Sequence, residues 1–373
     1  MDSAPRAVID LAALRHNLER VRTVAPNSRI LAVVKANAYG HGLFRIAKAL
    51  GTDVDALAVA RVGEGVALRQ AGVSHPVVVL EGCVNQQELD QAVANQLELV
   101  VHNPEQVTLL QQHKVNSPVA CWLKIDTGMH RLGLSIDSAQ IAFERLRMCD
   151  SVLGTPRLMT HFANADDLAD QTTLKQWQLF QTTIPELDAE ISAANSGAVL
   201  GWPETHADWV RPGIMLYGVS PFINGRPEAH DLHPVMSLQS QLIAINHYKK
   251  GDAIGYGGSW VCSENITVGV VSIGYGDGYP RHAASGTPAL LNGKRIPLVG
   301  RVSMDMISLD LRSCPEAQIG DLVTLWGPGL PVEEVAEAAN TIPYQLLCSV
   351  TARVDFVEEQ MINGQAESRQ INL

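Results

Sequence analysis

A lysine closes the apolar run "ILAVVK" at Lys35, and the chain then turns through "ANAYGHG", which carries Tyr39 beside two glycines. Comparable groups end other apolar runs: Lys124 in "ACWLKID", His161 in "PRLMTHF", Asn195 with Ser196 in "ISAANS", and Arg211 with Gly213 in "WVRPGIMLYG". An amine held in a partly apolar pocket loses proton affinity, and its free form can condense with an aldehyde to a Schiff base. Pyridoxal phosphate is the common aldehyde partner. Its phosphate takes backbone N–H donors at a helix start, which "NSG" at 195–197 and "RPGI" at 211–214 could supply. A plain helix N-cap accounts for Ser196 equally well, and an ordinary turn accounts for Gly40 and Gly42.

These groups need a scaffold that gathers strand ends. From residue 30 to about 218, eight short apolar runs alternate with segments of helical periodicity such as "NQQELDQAVANQ" and "TTLKQWQLFQTTIPEL". Unbroken apolar strands each followed by a helix predict a (β/α)8 barrel, whose active sites lie at the C-terminal ends of the strands. Five strand ends bearing reactive groups therefore argue for one shared site. After about residue 233 the texture changes to β-branched runs separated by turns, with Asn292-Gly293 as a hairpin signal and a helix near "VEEVAEAANT". The expected organisation is an α/β barrel domain over 1–232 and a mainly β domain over 233–373, joined through "NGRPEAHDLHP".

Composition narrows the function classes. With 28 Lys and Arg against 39 Asp and Glu, the formal net charge is −11, which disfavours nonspecific nucleic-acid binding. The first residues lack the pattern of a signal peptide, and no apolar run reaches the roughly 18 residues of a membrane span. Six well-separated cysteines read as reduced core thiols, so a soluble cytoplasmic protein is expected. "DTG" at 126–128 has no second copy to form a carboxylate pair, which removes an aspartic-protease reading. "HDLH" at 230–233 has no third ligand nearby in sequence and reads as exposed histidines, so no metal is expected. Glycine-flanked Tyr256 and Tyr275 open no helix, which removes a dinucleotide fingerprint.

In order along the chain, "AVVKANAYGHG", "KIDTGMHRLG", "MTHFANAD", "ANSGA", "VRPGIMLYG", "GYGDGYPR", "GRVSMDM" and "IPYQLLC" resemble the alanine racemases, pyridoxal-phosphate enzymes with a barrel and a β domain. The resemblance covers nearly the whole chain. It implies that Lys35 carries the cofactor and serves as one catalytic base, with Tyr256 of the partner subunit in a homodimer as the other. Tyr39, Ser196, Gly213, Ile214 and Tyr344 would hold the phosphate. Arg211 would face the pyridine nitrogen with His161 supporting it, while Arg131 and the backbone of Met304 would orient the substrate carboxylate and the cofactor's phenolic oxygen. In many relatives the lysine matching Lys124 is carbamylated and buttresses the arginine matching Arg131, and Tyr275 and Asp305 would line the entrance. His130 and Ser303 depart from the residues common at those places.

The implied reaction is the interconversion of L- and D-alanine, for cell-wall precursor supply or alanine catabolism. Two bases on opposite faces of a planar intermediate accomplish it. A permanently charged arginine disfavours protonation of the ring and shortens the carbanion's life. Alternatives are a racemase of broader specificity that accepts serine, a two-domain decarboxylase, which would pair the pyridine nitrogen with a carboxylate, and a noncatalytic cofactor-binding protein, which would lack the β domain.

Overall fold

The computed structural model describes residues 4–113, 117–183, 187–362 and 365–370. The chain forms two compact units, one of residues 17–216 and 221–223, the other of 1–16, 217–220 and 224–373.

The first unit is a closed parallel barrel of β2 (Arg29–Val33), β3 (Ala56–Val59), β4 (Val77–Val79), β5 (Glu98–Val101), β6 (Cys121–Lys124), β7 (Arg157–Met159), β8 (Ile191–Asn195) and β9 (Trp209–Arg211). The first strand of the chain, β1 (Arg6–Asp10), stands outside it. Each barrel strand pairs with the next, and β9 closes on β2 with Ile30 opposite Val210. Every residue of β3 and β4 is buried, because side chains pointing inward fill the barrel while those pointing outward meet helices. The helices start where the sequence can cap them. Asn85 accepts from Glu88 N–H ahead of Gln86–Ala94, and Asn103 accepts from Gln106 N–H ahead of Pro104–Gln112.

The N-terminal ends of the strands are stitched by charge and aromatic contacts. Arg157 bonds Glu98 at 3.0 Å and Glu190 at 2.9 Å, and its guanidinium lies over Trp122 and Trp209. Burial would raise the Glu190 carboxyl, but hydrogen bonds from Arg29, Trp209 and Arg157 override it and hold the group down to about 2. That end is a structural closure, which leaves the C-terminal ends for chemistry.

The second unit holds a nine-stranded sheet ordered β15-β14-β17-β10-β1-β18-β19, with β13 joined to β10 and β16. Its strands after β1 are β10 (Met236–Tyr248), β13 (Ile266–Val271), β14 (Pro288–Leu291), β15 (Lys294–Pro297), β16 (Ile307–Asp310), β17 (Leu322–Trp326), β18 (Asp355–Ile362) and β19 (Gln365–Gln370). A separate ribbon pairs β11 (Ala253–Ile254) with β12 (Trp260–Val261). β1 lies antiparallel to β10 and parallel to β18, so residues 1–16 group with this unit. Long β10 serves both halves, pairing with β17 before a register shift at Leu242/Ala244 and with β13 through and beyond it. Asn292 and Gly293 both have positive φ and join β14 to β15 in a two-residue turn, as their sequence predicts. The expected helix is Val332–Ala338, and a second, Pro343–Ser349, follows it.

Candidate active site

Lys35 stands just past β2, and the backbone behind it is unusual. Ala36, Asn37, Ala38 and Tyr39 all have φ between 52° and 54°, a left-handed turn built without glycine. Such a conformation costs about 1–2 kcal/mol per residue, so neighbours must hold it. Glu64 does part of this, accepting from Ala36 N–H at 2.8 Å while its other oxygen accepts from Ala60 N–H at 2.8 Å and Arg61 N–H at 3.1 Å. One carboxylate thereby ties the turn after β2 to the loop after β3. Asn37 adds a bond from Leu43 N–H to its side-chain oxygen at 2.8 Å.

The turn aims Tyr39 across the barrel mouth towards β9. A Cβ added at Gly213 would sit 2.5 Å from the Tyr39 hydroxyl oxygen, so only glycine allows the approach. Ser196 Oγ accepts from Gly213 N–H at 2.8 Å and from Met215 N–H at 3.4 Å. The N-cap of the short helix Ser196–Gly201 is Asn195, whose side chain accepts from Ala198 N–H. Ser196 is therefore not the cap, and the helix-cap alternative fails for it. Two hydroxyls converge on the backbone that leads into the turn starting at Ile214, an arrangement suited to an oxyanion.

Arg211 is almost fully buried at the end of β9. Its guanidinium donates to Ser192 Oγ at 2.7 Å, Thr160 O at 2.5 Å and Ala193 O at 3.1 Å, and approaches His161 Nδ1 at 3.3 Å. Burial lowers its proton affinity to about 10, which leaves it charged at neutral pH. His161 is held well below the usual imidazole range, first by burial and then by Arg211, so it is neutral and can accept from the guanidinium. Ser192 also donates to Trp209 O at 2.9 Å, which locks it in place as the arginine's nearest side-chain acceptor. Sequence reasoning found His161 and missed Ser192 and Glu64, neither of which carries a signal of its own.

Lys124 ends β6, and burial followed by Arg211, Arg131 and Lys35 lowers its amine to about 7. Lys35 is lowered by burial first and by Arg131 next, against an opposing pull from Glu81 and Glu64. Arg131 lies in the loop that closes back on β6 through Leu134 N–H to Lys124 O at 2.8 Å. Asp126 pins this loop by accepting from Gly128 and His130 N–H and by pairing with the His130 ring at 3.1 Å. The carboxylate of the "DTG" triplet thus has a structural task.

In the β unit, Tyr256 sits on an exposed turn with 69% of its surface accessible, flanked by Gly255 and Gly257 at positive φ. Tyr275 N–H donates to Ser303 O and Gly276 N–H to Met304 O, which brings Tyr275, Met304 and Asp305 together; Asp305 pairs with Arg353 at 2.7 Å. Tyr344 stands in the first turn of Pro343–Ser349, partly exposed.

The barrel's strand ends thus gather a lysine amine of lowered proton affinity, a buried guanidinium and two hydroxyls over backbone N–H groups, the equipment of an α/β-barrel enzyme that binds an anionic group beside an amine. Two family models cover the chain, "Alanine racemase, N-terminal domain" over residues 9–221 and "Alanine racemase, C-terminal domain" over 235–358. The chain belongs to the alanine racemase family. It is 56% identical to the alanine racemase of Nitrosococcus oceani over 351 residues, 94% of this chain and 98% of that one. The crystal structure of biosynthetic alanine racemase from Pseudomonas aeruginosa superposes with a TM-score of 0.93 at 42% identity, covering 96% of this chain and all of that one. Alanine racemase from Bartonella henselae, solved with covalently bound pyridoxal phosphate, gives a TM-score of 0.86 at 29% identity, covering 96% of this chain and 100% of that one.

Proposed function

We propose that this chain interconverts L-alanine and D-alanine with pyridoxal 5'-phosphate held covalently on Lys35. The observation that carries the reading is the convergence of Tyr39 and Ser196 on Gly213. Placed in one barrel mouth with a lowered Lys35 and a buried Arg211, this cradle fits a phosphate beside an amine-reactive ring. Tyr39, Ser196, Gly213 and Ile214 would hold the phosphate, and the family resemblance adds Tyr344. When bound, the cofactor supplies a conjugated sink for the electron pair left at the substrate's α-carbon.

The chain's own groups do the rest. Arg211, fixed by Ser192 and Thr160, would meet the bound ring's nitrogen as a donor that stays charged at neutral pH. Neutral His161 buttresses it. Lys35, whose proton affinity burial and then Arg131 lower, would serve one face of the α-carbon as a base. Tyr256 of the partner subunit serves the other in a homodimer, and its exposure on a glycine-flanked turn suits that task. By the family resemblance, Arg131 and the Met304 backbone would orient the substrate carboxylate and the cofactor's phenolic oxygen, and Tyr275 and Asp305 would line the entrance. Lys124, whose amine burial and then Arg211, Arg131 and Lys35 lower to about 7, would buttress Arg131 as a carbamate if its free amine adds carbon dioxide with release of a proton. On this reading the enzyme works in the cytoplasm, where its cysteine thiols stay reduced, either supplying D-alanine for cell-wall precursors or serving alanine catabolism.

Turnover of both enantiomers of alanine, serine and larger amino acids tests the substrate. Alanine is expected to racemise from either side with the highest kcat/KM. Serine turning over faster would mark a racemase of broader range, and carbon dioxide release without racemisation would overturn the reaction class.

A further inference from the structure

The "HDLH" segment supplies two metal-ligating side chains in sequence, and the fold adds a third. His16, on the helix Leu11–Val24, lies against Asp231 and His233, all within the β unit. His16 Nε2 is 3.3 Å from Asp231 Oδ1, and His233 Nε2 is 3.8 Å from the same oxygen. The two imidazole rings stack face to face at 3.8 Å and 4°. One ligand atom from each residue lies within 4.8 Å of the others.

We propose that His16, Asp231 and His233 form a binding site for a borderline divalent transition-metal ion such as Zn2+, distinct from the barrel site and independent of the reading above. Two imidazoles and a carboxylate are the donor set for Zn2+, Co2+, Ni2+ or Cu2+, whereas Mg2+ and Ca2+ take oxygen ligands. Metal–ligand bonds of about 2.0–2.2 Å in a tetrahedron place ligand atoms roughly 3.3–3.6 Å apart. The His16 and Asp231 pair already has that spacing, whereas His233, whose ring lies parallel to that of His16, would have to rotate to direct its nitrogen lone pair at the same ion.

The backbone under the ligands is fixed. Asp231 is held in a left-handed conformation, and Leu232 between the ligands is buried with its N–H on Pro227 O at 3.0 Å. The His233 carbonyl lies so close to Gly218 that a Cβ there would meet it at 1.8 Å. In exchange, the solvent-facing side leaves coordination positions for water, as in metal sites with three protein ligands. His16 Nε2 also lies 3.0 Å from the Asp231 carbonyl oxygen, so a bound metal would take the place of the proton this nitrogen can donate there. An occupied site would clasp His16 to the segment leading into β10.

The test uses full-length, untagged, cofactor-loaded enzyme titrated with zinc sulfate by calorimetry, and with cobalt chloride by visible absorption. Saturable binding of a single equivalent is expected, with a cobalt spectrum of nitrogen and oxygen ligation and no displacement by magnesium. His16→Gln and His233→Gln should each weaken binding by about tenfold or more, since even outer-shell changes cost 10–100-fold. The double variant should lose both the binding and the zinc-dependent rise in Tm. Unchanged affinity in the double variant would assign the ion to other histidines, and no saturable binding by the wild type would remove the site. Exposed His233 tests the proposal without disturbing the helix, so a folding defect in His16→Gln leaves the outcome readable.

Discussion

Replacing Glu64 by alanine should unlatch the turn that presents Lys35. Four consecutive left-handed residues, Ala36 to Tyr39, store roughly 4–8 kcal/mol at about 1–2 kcal/mol each. Glu64 opposes that strain through backbone N–H groups of Ala36, Ala60 and Arg61. Hydrogen bonds to a charged group contribute about 1.5–3 kcal/mol each, but Glu64 is only half-buried and water replaces part of the loss, so Glu64→Ala should cost about 2–4 kcal/mol in all. Because Ala36 directly follows Lys35, turnover should fall about 100-fold, the loss expected for a misplacement near 1 Å. Glu64→Gln keeps one acceptor oxygen and should fall between. Ala36→Gly provides a check of opposite sign. Relief of about 1–2 kcal/mol, less about 0.4–1 kcal/mol of added freedom in the unfolded chain, should stabilise the protein by roughly 0.5–1 kcal/mol. Urea unfolding and alanine turnover read both effects. A Glu64→Ala protein with the wild-type urea midpoint and rate would refute the latch.

Arg211→Glu should slow racemisation and increase transamination, seen as pyruvate formed per turnover, because the fixed positive charge beside the ring is reversed. Lys35→Ala and Tyr256→Phe should each be nearly inactive alone, while a randomised equal mixture should regain about one quarter of wild-type activity, since about half the dimers carry one intact site. Stability should also fall in acid through Glu190. Its folded value, near 2, lies below the unfolded value of about 4.3, so its contribution is full above about pH 5 and fades as pH drops through that interval. Glu190→Gln should therefore show a smaller loss of urea midpoint between pH 6 and pH 3 than the wild type.

The barrel was legible because parallel strands buried on both faces must be apolar throughout, and the reactive residues that interrupt those runs fall at strand ends. What stayed hidden depends on long-range partners. The place of β1 rests on pairing with residues 236–239 and 355–359, which no local pattern announces. The left-handed turn is made of alanine, asparagine and tyrosine, so the usual glycine signal for positive φ is missing. Ser192 reads as an ordinary strand serine until β9 places Arg211 beside it. His16 is likewise one polar helix residue until Asp231 and His233 arrive.

The most direct measurement of the central claim is borohydride reduction of the loaded enzyme followed by peptide mapping. Reduction should fix the cofactor irreversibly, abolish activity and leave the added mass on Lys35 alone. Finding it on Lys124 or on any other lysine would contradict the assignment of Lys35 as the residue that holds the cofactor and exchanges the proton.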